Sequence, residues 1–358
     1  MPQRTHSSLS QFPPARGPRL RPLLLAALAV ACLARAPGAQ AEPAAGWWSA
    51  FHDATLNLLL AEAAPPAAAA PQDSLPALQL QADATAAYVL ARVASVRLMN
   101  GQLLVDTLQR EVDLLRADGQ QAGEPARAAQ QALDAARARL SQFEELRASS
   151  IALLAQRSGG DRTVATLSRQ LAPALGDARL PVPSFDLPRE LPGIVLRQRP
   201  DVAQAELQLA QAGRGTAAGQ LRLARYLQAL SAPIAADADA PEDGGAASPQ
   251  AEDVLENARR DIARKLGRLD VAVTAARTQE ALLLGLQPQY LALRDRFNRG
   301  ELPEVQALQA LARMLVEEDR LAAAGSTLGL AWIAFQASIG GAGRASTSDL
   351  LGATRDEN

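Results

Sequence analysis

Few side chains in this sequence are of a kind that does chemistry. The 358 residues contain one cysteine and two histidines, so a zinc site or a histidine-based catalytic set has little to draw on. Three carboxylates stand out by position: Asp53, Asp201 and Glu206. A catalytic carboxylate needs burial and a convergent pocket. Each of these three instead sits where a carboxylate caps a helix or lies on a solvated helix face, so no enzyme, metal site or cofactor is expected. Gly213, Gly215 and Gly219 are spaced loosely like a phosphate loop. They lack a strand before them and a Lys-Ser/Thr after them, so they do not make one. Cys32 is the exception, because its surroundings suggest covalent modification.

Cys32 lies just beyond an export-signal pattern. Residues 1–21 carry Arg4, Arg16, Arg19 and Arg21 without an acid, and an apolar core from Leu23 to Ala31 follows. That core is too short to cross a bilayer, which takes about 20 residues, but it has the layout of a secretory signal. Two cleavage patterns compete. Ala29-Val30-Ala31-Cys32 matches a lipobox that would leave Cys32 as a lipidated N-terminus, and Ala39-Gln40-Ala41 is a small-x-small site for ordinary release.

The rest of the chain is built to form helices. Hydrophobic residues are 48% and aromatics 3%, a balance rich in Ala and Leu that favours long helices. A membrane β-barrel needs aromatic girdles, which this composition does not supply. The net charge of −2 and the absence of a basic stripe argue against nucleic acid as a partner. After Trp47, Trp48, Phe51, Asp53, Leu56 and Leu59, which open a short helix, residues 63–84 read as a Pro/Ala-rich linker. Helical periodicity begins at Thr85. Val89, Val93, Val96, Leu103, Leu108, Val112 and Leu115 mark one face, Gly119, Gly123 and Pro125 a turn, and Ala129, Leu133, Ala136, Leu140, Phe143, Ser150 and Leu154 the returning seam. A linker at 161–199 leads to a second unit. Pro200 opens a helix expected to run to about Leu230, and 231–249 reads as an acidic, disordered insert. Ile262, Leu266, Leu269, Val273, Ala276, Leu283, Leu286, Tyr290, Leu293 and Phe297 then form a heptad seam. It breaks at Asn298-Arg299-Gly300 and returns through Val305, Leu308, Ala312, Leu315 and Ala322.

The expected fold is therefore all-α: a duplicated pair of long antiparallel helical hairpins with no barrel strands. The segments are an export signal at 1–31, an anchor, short helix and linker at 32–84, hairpin repeat 1 at 85–160, and an inter-repeat linker at 161–199. Hairpin repeat 2 follows at 200–342, with a polar tail at 343–358.

Between the repeats, LP-x-x-LP at Leu187, Pro188, Leu191 and Pro192, then Leu196 and Arg199-Pro200-Asp201-Val202-x-x-Ala205-Glu206-x-x-Leu209-x-x-Ala212, resembles the mid-chain signature of TolC-like outer-membrane efflux factors. It is most similar to the lipoprotein branch serving resistance–nodulation–division pumps. The W-W-x-x-F-x-D start at 47–53 and Arg294, Phe297, Gly300, Leu308 and Ala310 resemble further strings of that family, and the likeness covers most of residues 30–342. It implies a homotrimeric outer-membrane subunit of a tripartite efflux system, with a periplasmic adaptor and an inner-membrane pump as partners. It also implies a lipid anchor at Cys32. The hairpin tips at Gly123 and at Arg299, Gly300, Glu301 and Leu302 would be the partner-binding points. Where the family has membrane strands, in both repeats, this chain has linkers. The alternative is a periplasmic coiled-coil interaction protein of that descent that forms no channel.

Overall fold

The computed structural model describes residues 46–63, 75–118, 123–157, 163–239 and 250–340. The export-signal pattern and Cys32 lie outside these residues. Among the described residues eight helices follow in order: α1 (Ala54–Ala63), α2 (Leu75–Ala117), α3 (Glu124–Arg157), α4 (Val164–Leu175), α5 (Pro200–Ala212), α6 (Ala217–Ser231), α7 (Ala251–Asn298) and α8 (Glu304–Ser338). Two short 3-10 helices, Trp47–Phe51 and Gly193–Gln198, precede α1 and α5. The only strands among the described residues are β1 (Glu190–Leu191) and β2 (Ile234–Ala235), paired antiparallel.

The two hairpins of the expected fold are α2–α3 and α7–α8. At 1.5 Å per residue, α2 reaches about 65 Å and α7 about 72 Å. The hairpins join through α2 and α8, so the four long helices stand in the order α3, α2, α8, α7. Helices α2 and α8 each have two long neighbours, and α3 and α7 have one. The seam read from the sequence is the buried one: Leu133, Phe143 and Leu154 on α3, and Ile262, Leu266, Leu269, Val273 and Tyr290 on α7. Its last member, Phe297, is exposed beside the turn.

Two apolar clusters hold the row together. The one nearer the tips gathers Leu104, Leu108, Val112 and Leu115 of α2 with Leu133, Tyr290, Leu311 and Leu315. The other collects Trp47, Phe51, Leu56 and Leu59 with Tyr88, Leu191, Leu196, Ile262, Leu266, Trp332 and Phe335. The tryptophan pair is packing material: Trp47 is buried and meets Trp48 edge-on. Helix α8 is long and apolar enough to cross a membrane. Its packing between α2 and α7 makes it a core helix instead.

Four expectations need correction. The linker at 63–84 is shorter, because α2 begins at Leu75. Leu78 and Ala82, which suggested weak strand alternation, are four residues apart and are both buried on one helix face. The inter-repeat linker at 161–199 contains α4. Thr163 caps it by accepting the Thr166 N–H at 3.2 Å, and Leu167 and Leu171 anchor it. The single helix expected from Pro200 to Leu230 is two, α5 and α6. Gly215 takes φ +83° between them, and Thr216 caps α6. A Cβ on Gly219 would lie 2.3 Å from the Gly213 Cα, so only a glycine pair lets the two helices approach this closely. Of the insert expected to be disordered at 231–249, residues 231–239 are ordered. Ile234 pairs with Leu191, and the Asp237 N–H donates to the Ala263 carbonyl at 2.9 Å. Gly267 allows this approach, since a Cβ there would strike Ala238. Residues 240–249 lie outside those described.

Candidate functional site

The signature segment folds into a joint. The 3-10 helix Gly193–Gln198 turns the chain and buries Val195 and Leu196. Arg199 is extended, Pro200 occupies the first position of α5, and Asp201 accepts the Val202 N–H at 2.9 Å. The Arg199 guanidinium grips Asp201 through two hydrogen bonds, at 3.1 and 2.8 Å. Its remaining terminal nitrogen donates to Asp261 of α7 and to the Ser338 carbonyl at the end of α8, both at 3.1 Å. Asp261 also accepts from Arg264 and Lys265. Burial works against the Asp201 carboxylate, but the guanidinium and backbone donors outweigh it and hold its pKa below the ordinary value. Gly340 closes the joint from the other side. It sits at φ +85°, and a Cβ there would lie 2.4 Å from the Gln198 carbonyl oxygen.

The other signature residues serve the same joint. Ala205 is buried against its neighbours, and Glu206 pairs with Arg197 at 2.9 Å. The Tyr226 hydroxyl of α6 donates to the Val202 carbonyl at 3.2 Å. Arg259 of α7 donates to three carbonyls at the end of α6, those of Ala229, Ala232 and Pro233. Thus Arg199, set by Pro200 and Asp201, ties the start of α5 to α7 and α8, while Glu206 ties α5 to the preceding 3-10 helix.

Sequence reading missed a second joint. Asp53 accepts the Thr55 and Leu56 N–H groups as the cap of α1, and its other oxygen takes the Tyr88 hydroxyl at 2.6 Å. Burial and that bond raise the Tyr88 pKa far above its usual value. Arg92, buried beside it, donates to the Asp177 and Arg179 carbonyls at 3.2 and 3.0 Å. The cap of α1 is thereby linked through α2 to the inter-repeat segment. The sequence signal was Tyr88 and Arg92, one turn apart on an otherwise apolar stripe.

The expected partner-binding residues lie at the hairpin turns. Gly300 follows α7 at φ +75°, its N–H donates to the Phe297 carbonyl, and the Glu301 N–H donates to the Arg296 carbonyl at 3.0 Å. These two bonds make a Schellman ending. Arg299 and Glu301 are exposed and hold each other, Leu302 is half-buried, and Arg110 of α2 braces the turn through Glu304 at 2.8 Å. Gly123 caps the start of α3, its carbonyl accepting from the Arg127 N–H. Residues 119–122 of that turn are outside those described. Both turns lie at the same end of the α2–α8 interface, since Arg110 and Glu304 meet there. Among the described residues no three His, Cys, Asp or Glu side chains are grouped to hold a metal ion. Asp53, Asp201 and Glu206 are all engaged in caps or ion pairs.

No family model matches the chain, and no curated protein matches it. Solved structures do. CusC, from crystal structures concerned with folding and transmembrane channel formation, superposes with a TM-score of 0.59 at 14% identity, covering 84% of this chain and 99% of that one. The outer-membrane channel OprN gives 0.51 at 18% identity, over 81% of this chain and 71% of its own. A membrane protein from Pseudomonas aeruginosa gives 0.51 at 15% identity, over 82% and 72%. This chain thus has the fold of the helical part of TolC-like outer-membrane channels.

Proposed function

We propose that this protein is the outer-membrane subunit of a tripartite efflux system for small molecules, in a form divergent or truncated at its barrel end. The observation that carries the reading is the open row α3, α2, α8, α7 in a fold that matches CusC over nearly that whole chain. A row of four helices with one-sided edges can be closed by further copies, and a homotrimer would make a tube of helices. The turns at Gly123 and at Arg299, Gly300, Glu301 and Leu302 would face a periplasmic adaptor, and an inner-membrane pump would complete the path. Lipidation at Cys32 would fix the subunit to the outer membrane from the periplasmic side. No catalysis is part of this reading. The test is conductance: the mature protein, extracted from membranes and crosslinked as a trimer, is added to a planar bilayer. Steady channel events support the reading, and a silent trimer sinks it.

One observation favours a second reading, a periplasmic coiled-coil interaction protein that forms no channel. The segments between α1 and α2 and before α7 span residues 64–74 and 240–249, eleven and ten residues. A membrane-crossing strand takes about 9–11 residues, so an up-and-down pair needs about 20. Backbone crosses lipid only as a helix or within a closed barrel. Under this reading the adaptor is still captured by the tips, but the trimer stays silent in the bilayer.

A further inference from the structure

The buried face of α8 has a regular pattern: Leu311, Leu315, Ala322, Gly325, Gly329 and Trp332 are all buried, at spacings of three and four except for a gap of seven between Leu315 and Ala322. The member that belongs between Leu315 and Ala322 is Glu318. Its neighbours in sequence point elsewhere and are paired. Glu317 accepts from Gln279 of α7 at 2.6 Å and from Arg320, and Asp319 takes both donors of Arg97 of α2 at 2.7 and 2.9 Å. Glu318 is half-buried on this line, and its Oε2 is buried without a hydrogen-bond partner. A carboxylate in such a place is costly when charged and tolerable when protonated.

The charged groups around it do not relieve this. From α7, the Tyr290 ring is buried and feels the Glu318 charge, and Glu280 is half-buried on the same helix. Arg294 lies one turn further on and pairs with Asp295. From α2, Arg97 is committed to Asp319 and stacks on the Phe143 ring of α3 at 4.1 Å. Asn100 of α2 has a buried amide oxygen without a partner. We propose that Glu318 is a protonation switch in the α7–α8 seam: the hairpin is tight when this carboxyl is neutral and loosens when it ionises.

Burial alone pushes the Glu318 carboxyl up to about 7 from an ordinary 4.5. A group raised in the folded state stabilises fully below its unfolded value and loses that contribution as pH rises through the folded one. The hairpin therefore weakens between about pH 5 and pH 8. If local opening restores ordinary ionisation, the closed-to-open ratio falls roughly thirty-fold from pH 5.5 to 8.5.

Hydrogen exchange of the full chain tests this, read as protection factors so that intrinsic exchange chemistry cancels. Amides 311–325 should lose at least threefold protection from pH 5.5 to 8.5, and Glu318→Gln should abolish that loss. Glu318→Leu serves as the second variant and should also be flat with pH. A wild-type loss under threefold, or one that persists in the variants, overturns the proposal. Should neither variant fold, the α3 amides decide: a loss confined to 311–325 supports the switch, and an equal loss along α3 overturns it.

Discussion

Replacing Arg199 with alanine should destabilise the fold by about 2–3 kcal/mol. The guanidinium is 15% exposed and makes four hydrogen bonds, two to Asp201, one to Asp261 and one to the Ser338 carbonyl. Removing one partner of a fully buried pair costs about 3–5 kcal/mol, and an exposed pair is worth about 0.2–1 kcal/mol. The carboxylates here are 32% and 23% exposed, and Asp261 keeps Arg264 and Lys265, which places the loss between those limits. Arg199→Lys should recover less than half, since an ammonium cannot match the two-pronged grip on Asp201. Urea unfolding followed by circular dichroism measures both. The pH dependence has a definite sign. Asp201 is held below its ordinary 3.8, so its contribution is present above about pH 4 and lost as pH falls through the lower folded value. The deficit of Arg199→Ala should therefore shrink in acid. A loss under about 0.5 kcal/mol at pH 7, or one unchanged below pH 4, would refute the joint as the role of this signature.

Gly340→Ala should cost about 3 kcal/mol or more, because a left-handed backbone alone costs about 1–2 kcal/mol and the new Cβ also meets the Gln198 carbonyl. Gly300→Ala has the same backbone sign but open space, so its unfolding free energy should drop by only about 1 kcal/mol; equal losses at the two sites would remove the contact argument. Tyr88→Phe deletes the hydroxyl held by Asp53 and should lower stability by about 1–2 kcal/mol in thermal melts, and a neutral result would mean that bond contributes nothing. Cys32→Ser should abolish incorporation of labelled palmitate and release the protein from the outer-membrane fraction; unchanged labelling would exclude Cys32 as the anchor.

The long elements were legible because heptad spacing on an Ala/Leu background leaves one solution, two antiparallel hairpins, and because Gly123 and Asn298-Arg299-Gly300 punctuate it. Local reading failed where a residue's role depends on a distant neighbour. Leu78 and Ala82 were read as strand alternation, although their four-residue spacing equally fits the helix face they occupy. The glycines at 213 and 219 looked like weak points in one helix, although their small size is what brings two helices into contact. Arg199 and Asp201 were recognisable as a pattern, yet their link to Asp261 and Ser338 spans 62 and 139 residues of sequence and no short window contains it. Glu318 shows the same limit. The α8 stripe was traced from Leu315 directly to Ala322, and Glu318 between them was not marked. It is half-buried between two neighbours that Gln279 and Arg97 hold to the flanking helices, so under the proposed switch the hairpin's pH response depends on the helices packed on either side of α8.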